Sequence, residues 1–215
     1  AHKIVDETLG LYMEQAGPDT AIVVVSDHGL IPHIKAVSIN NLLAREGLIA
    51  WEPGPGNRPA IDWSRTLAYK PTDTVHIWIN LKGRDPQGVV EAADYEAMQE
   101  RIIDVLLDLR DPENGKRPIA LAVKKRDAAM FGLWGDRVGD VVFMTNAEYS
   151  APLSSPLSND GRIVVGLGPE EEGKENFHSP DYQSYHGCTM PTVAIGRGAS
   201  EAGGLIMSGP GIKQG

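Results

Sequence analysis

Residues 23–30 read VVVSDHGL, and they follow directly on an alanine and an isoleucine, so that 21–26 is AIVVVS. Every side chain of that run but the last is apolar, and three in succession are valines. β-Branched residues suit a pleated strand. A strand with no polar alternation expects cover on both faces, as in the interior of a parallel sheet. A helix precedes it. Residues 3–16 place Val5, Leu9, Tyr12, Met13 and Ala16 at helical spacing, and Gly17-Pro18 ends the pattern. Helix, short turn and covered strand form the αβ unit of a parallel sheet. The expected class is therefore α/β.

The rest of the chain fits that class. SINNLLAREG at 38–47 reads as a helix closed by Gly47. EPGPGNRPA at 52–60 reads as loop, being dense in Pro and Gly. TVHIWINL at 74–81 alternates, as a half-exposed strand does. Residues 92–109 form an amphipathic helix whose stripe is Tyr95, Met98, Ile102, Val105, Leu106 and Leu109. DPENGK at 111–116 stops it; PIALAVKK at 118–125 and GDVVFMTN at 139–146 read as strands. Residues 150–162 and 168–185 read as polar loop. PTVAIGRG at 191–198 and GLIMSGPGIKQG at 204–215 contribute two further short apolar runs. No internal repeat interrupts the series. Residues 52–138, which mix strands and a helix, read as an insertion within one domain spanning 1–215.

Composition narrows the function. The formal charge is −9, and no block of Lys and Arg stands out, so nothing points to a nucleic-acid polymer. No apolar run approaches the ~20 residues of a membrane span. Cys188 is the one cysteine, which excludes an internal disulfide. The chain opens on Ala1 inside a helical pattern, as a sequence beginning partway through a protein would.

The chemistry gathers at Asp27 and His28. In open α/β sheets, functional groups collect beyond the carboxyl ends of the strands. These two residues stand there, and Gly29 permits a sharp turn after them. Carboxylate oxygen and imidazole nitrogen both ligate zinc. Asp27 could instead orient a ligand from behind, and Asp-His-Gly also suits an ordinary turn. His186, in SYHGC at 184–188, has a similar setting at the end of a polar loop. His178 competes with it. His76, within an alternating strand, reads as packed or at the surface, and His2 and His33 read as solvent-exposed. GRDPQG at 83–88 reads as a charged loop that reaches either a substrate or only solvent.

Together these pieces resemble the type I phosphodiesterase/nucleotide pyrophosphatase branch of the alkaline phosphatase superfamily. VVVSDHG is similar to that family's metal-binding strand end, and YHG to its late metal-binding histidine. LIMSGPGIKQG resembles the strand and glycine-rich loop that follow. INLKGRDPQGVV, YEAMQERIIDVLLDLRDPENGK and GDRVGDVVFM are similar to its middle region in order and spacing. The resemblance implies a three-layer α/β/α sandwich with a mostly parallel sheet, a smaller α+β insertion, and hydrolysis of small phosphate esters. It also implies two divalent metal ions, usually zinc, with Asp27 and His28 on one and His186 on the other.

One departure matters. In the family a Thr or Ser nucleophile, a further Asp ligand and an Asp-x-x-x-His pair precede the Asp-His strand. Only 26 residues precede Asp27 here, and none of those motifs is among them. Three ligands for two metals leave both short of the three that a catalytic zinc usually takes. The chain thus reads as the C-terminal part of a longer enzyme, its partner being the missing N-terminal part, inactive and weakly metal-binding alone. Ser26, Ser208 and Cys188 are not assigned as nucleophiles. A phosphomutase or sulfatase of the superfamily, or a non-catalytic domain keeping the fold, are the alternatives.

Overall fold

In a computed structural model, the described residues are 2–71, 74–151, 161–166, 184–185 and 203–213. The first elements are α1 (His2–Gln15), β1 (Ile22–Val25), β2 (Ile31–Val37), α2 (Ile39–Arg45), β3 (Trp51–Pro53), β4 (Pro59–Ile61), β5 (Ala68–Tyr69) and β6 (His76–Ile79). There follow α3 (Tyr95–Asp108), β7 (Ile119–Lys124), β8 (Val141–Thr145), β9 (Glu148–Ser150), β10 (Val164–Gly166), β11 (Ser184–Tyr185) and β12 (Leu205–Ser208). The class is mixed α/β. The chain forms two compact units, residues 1–30 with 192–215, and residues 31–191. No helix of the described residues is long and apolar enough to cross a membrane.

The first unit holds α1 and a two-stranded ribbon. β1 pairs antiparallel with β12, from Ile22 opposite Ser208 to Val25 opposite Leu205. Glycines allow the close approach: a Cβ on Gly203 would sit 2.6 Å from the Ser26 carbonyl oxygen, and Gly209, at φ 137°, would bring one to 2.7 Å from the Ala21 Cα. This corrects the expectation of a covered strand in a parallel sheet, because Val23, Val24 and Val25 are exposed. An apolar run shows that a strand forms. It does not show which partner pairs with it, in which direction, or what covers its faces.

In the second unit β2 is the hub. β10 and β11 pair with it antiparallel and β9 pairs with it parallel. A second sheet has the order β5-β6-β8-β7, all antiparallel. The alternation read at 74–81 holds, with Ile77 and Ile79 fully buried. The helix read at 92–109 is α3, preceded by a 3-10 turn at Ala92–Asp94, and its Ile102 and Leu106 are fully buried. Each such side chain contributes about 1.5–3 kcal/mol relative to exposure. The helix read at 38–47 is α2, where the Ser38 hydroxyl caps the Asn41 N–H at 3.4 Å. Two loop expectations are corrected. Residues 52–60 lie within the β3–β4 hairpin, because Pro-Gly chemistry turns a hairpin as readily as it breaks one. Residues 184–185 form β11, a strand too short to leave a periodic signal.

Asp140, at the threshold of β8, joins these parts. Its side chain has no exposure. Oδ1 accepts from Arg84 Nη1 at 2.7 Å and the Tyr95 hydroxyl at 2.7 Å. Oδ2 accepts from the Ile79 N–H at 2.7 Å and Arg84 Nη2 at 2.8 Å. Its carbonyl accepts from Gln99 Nε2 at 2.6 Å. Asp140→Ala is expected to lower the unfolding free energy by about 3 kcal/mol or more, since it strands a guanidinium and a buried N–H. Leu106→Ala is expected to cost about 3 kcal/mol through the cavity left. Met130→Ala, at a position 83% exposed, should change stability by no more than about 0.5 kcal/mol. Urea unfolding followed by circular dichroism checks all three.

Candidate functional site

Asp27 and His28 follow a clamped strand end. Beyond Val25 the ribbon continues for one residue: the Ser26 N–H donates to the Gly204 carbonyl at 3.0 Å, and the Gly204 N–H donates to Ser26 Oγ at 2.6 Å. Ser26 thus spends its hydroxyl on the ribbon. The chain leaves the ladder at Asp27, whose side chain is 84% exposed.

The two side chains turn toward one another. The His28 N–H donates to Asp27 Oδ1 at 3.0 Å. Asp27 Oδ2 lies 3.2 Å from His28 Nε2. On the far side of the ring, Nδ1 lies 2.9 Å from the Gly29 carbonyl oxygen. Both ring nitrogens therefore face acceptors. A neutral imidazole carries one N–H. With that hydrogen on Nδ1 and directed at the Gly29 carbonyl, the Nε2 lone pair and a carboxylate oxygen face the same space. Anchoring of one ring nitrogen on a backbone carbonyl is how metal-bound histidines are usually held. The donor set, one carboxylate oxygen and one imidazole nitrogen, fits a borderline divalent ion such as zinc. Two donors are short of a complete site, and no group of three or more His, Cys, Asp or Glu among the described residues forms one.

His186, His178 and Cys188 lie outside the described residues. The residue before His186 is Tyr185, which pairs with Ile31 in the antiparallel β11–β2 register. Ser208 closes β12 opposite Ile22. His2 is exposed, and His76 is half-buried on β6. His33 corrects the sequence reading: it is fully buried on β2 rather than solvent-exposed. The sequence misleads there because its neighbour Ile34, the apolar residue, is the one that faces outward.

Two ionic clusters of the second unit carry no chemistry of their own, because their groups are used up. Arg84 is held well above its ordinary range, chiefly by its bond to Asp140, and Tyr95 is pushed up by burial and by Asp140. Lys35 bridges Asp111 and Glu113 at 2.6 Å each, and Asp111 also accepts from the Tyr149 hydroxyl at 2.8 Å. Burial pulls Lys35 down, yet its two carboxylates outweigh burial and raise it. The sequence reading saw GRDPQG as a charged loop but not its inward partner: no local spacing connects Arg84 with a residue in β8's approach.

Comparison with known proteins gives one match. The family model described as type I phosphodiesterase/nucleotide pyrophosphatase matches residues 1–180. That range takes in Asp27 and His28 and stops short of His186. No curated protein and no solved structure matches the chain.

The buried histidines set a pH dependence. Burial lowers His33 to about 4, and burial followed by the Lys125 charge lowers His76. The folded state therefore binds fewer protons than the unfolded chain, where His titrates near 6.5. The stability tied to these groups is full above about pH 6.5 and is lost as the pH falls toward 4, by about 3 kcal/mol for His33. Urea midpoints measured from pH 7 to pH 4 should show that decline, and His33→Gln should flatten it.

Proposed function

We propose that this chain, which belongs to the type I phosphodiesterase/nucleotide pyrophosphatase family, supplies metal ligands for the hydrolysis of small phosphate esters of the phosphodiester or nucleotide pyrophosphate type. The match over residues 1–180 carries the reading. The Asp27–His28 geometry supports it: two donor atoms 3.2 Å apart at a strand end, the ring anchored from behind by Gly29. The ligands are Asp27 and His28 for one divalent ion and His186 for a second, both ions being zinc. The fold proposed with this activity is the three-layer α/β/α sandwich of the alkaline phosphatase superfamily.

Divalent ions at such a site polarise a phosphoryl oxygen and stabilise charge on the attacking and leaving oxygens. The chain's own residues prepare for that. The His28 N–H holds Asp27 Oδ1 and thereby aims Oδ2 at the shared space. With the ring hydrogen on Nδ1, the Gly29 carbonyl 2.9 Å away takes it and Nε2 is the nitrogen offered. Nucleophilic attack is not assigned to Ser26, whose hydroxyl accepts the Gly204 N–H.

Zinc titration by calorimetry tests the ligand set. Asp27→Ala, His28→Ala and His186→Ala are each expected to weaken zinc binding by at least about tenfold, as loss of lesser supporting groups already does. His76→Ala should leave it unchanged. Zinc affinity indifferent to Asp27 and His28 would overturn the assignment. Hydrolysis of bis(p-nitrophenyl) phosphate by the zinc-loaded chain, with Asp27→Ala beside it, reads the activity separately.

A further inference from the structure

A pocket lies within the second unit and owes nothing to the proposed metal ligands. Its volume is about 270 Å³, and it is lined by Trp63, Tyr69, Asn80, Asp85, Pro86 and Gln87. We propose that it binds one neutral hydroxylated ring, a monosaccharide unit.

Shape is the first argument. Trp63 and Tyr69 meet edge to face, with ring centroids 4.7 Å apart and planes at 86°. They form a corner, not a slot. A planar base gains most from parallel faces on both sides, and perpendicular walls offer it one. A puckered ring has C–H groups pointing in several directions, and it packs against both walls. The volume equals about nine water molecules and falls just under the range of drug-sized pockets, about 300–1,000 Å³. That is room for a single ring.

Hydrogen-bonding capacity is the second argument. Asn80 is almost fully buried, and its Nδ2 is pinned by the carbonyls of Trp63 at 3.0 Å, Thr66 at 2.9 Å and Gln87 at 2.9 Å. Its Oδ1 takes no donor among the described residues. Asp85 commits Oδ2 to the Leu81 N–H at 2.8 Å and to Arg84, and Oδ1 remains unused. The Tyr69 hydroxyl and the Trp63 indole N–H have no acceptor among the described residues. Burial, then Asp85, pushes the Tyr69 hydroxyl up, so it keeps its proton for donation at neutral pH. The residues lining the pocket thus hold both acceptors and donors that no described residue uses. A sugar hydroxyl is both donor and acceptor, and an array of them satisfies both kinds. A bare cation would use the acceptors alone, and it would meet the Arg84 guanidinium 3.0 Å from Asp85.

The experiment is a ¹H–¹⁵N titration of the whole chain. Its four tryptophans give four indole signals, and Trp63→Phe identifies the one that matters. Glucose, galactose, mannose and N-acetylglucosamine are added in turn, with adenosine and choline as comparators. The expected result is a saturable shift of the Trp63 signal with at least one sugar, while those of Trp51 and Trp134 stay fixed, at a dissociation constant of about millimolar order. Tyr69→Phe, which keeps the ring, is expected to weaken binding about threefold to tenfold, with an unchanged circular dichroism spectrum. Absence of a saturable shift with every sugar overturns the proposal. So does a Trp63 response confined to adenosine or choline, or a folded Tyr69→Phe chain that binds sugar as tightly as the parent. Because the readout is binding and not turnover, its failure leaves the metal-site reading untouched.

Discussion

A carboxylate that no water reaches organises the larger unit. Asp140 carries its charge with zero side-chain exposure, and an unpaired charge there would cost far more than any single contact returns. The fold answers with four hydrogen bonds from three separate parts of the chain: β6 through Ile79, the loop after it through Arg84, and the first turn of α3 through Tyr95. Each donor has to be in place at once. Arg84 reaches inward only if residues 81–90 fold tightly, and at Gly88 any Cβ would sit 2.2 Å from the Leu81 carbonyl oxygen. The same loop carries Asp85, which Arg84 also holds. The geometry of the Trp63–Tyr69 pocket is therefore tied to the ion pair behind it.

Packing of α3 makes this possible. Ile102 and Leu106 bury one face of the helix against the β5-β6-β8-β7 sheet, and the same face presents Gln99 to the Asp140 carbonyl. The hydrophobic stripe supplies the stability. The polar groups interleaved with it determine how the helix sits on the strands, because an error there leaves a buried acceptor without its donor. At the edge of that packed face Glu100 meets Lys124 of β7 at 2.6 Å.

What was legible in the sequence follows the range of the physics. Period-2 and period-3.6 patterns are local, so α3, β6, β7 and β8 could be read directly. Pairing is not local. β1 was recognisable as a strand, but nothing within AIVVVS indicates that LIMS, some 180 residues on, would pair with it antiparallel. The β3–β4 hairpin and β11 were too short to show a period. His33 was misread because alternation tells which residues share a face but not which face is the core; the exposed Ile34 reverses what hydrophobicity suggests. Asp27 and His28 could be singled out as candidates because their signal, two ligand types and a glycine at a strand end, is itself local. Arg84 and Asp140 were visible as residues and invisible as a pair, since 56 positions separate them.

That contrast separates the two kinds of acid in this chain. An ionised carboxylate has about four lone-pair positions. Asp140 fills all of them from within and has none to offer a ligand. Asp111 is close to the same condition, bonded to Lys35, Tyr149 and the Glu113 N–H. Arg84 and Tyr95, both displaced far from their ordinary titration, belong to the closed cluster, and His33, displaced as far by burial alone, sits inside β2. Strong perturbation is often taken to mark a functional site, yet here it marks the groups that hold the fold. Asp27 is the reverse case: mostly in water, engaged by one backbone N–H, with its second oxygen beside an imidazole nitrogen. Unused capacity, not perturbation, is what distinguishes it, and the same criterion singles out Oδ1 of Asp85 and of Asn80.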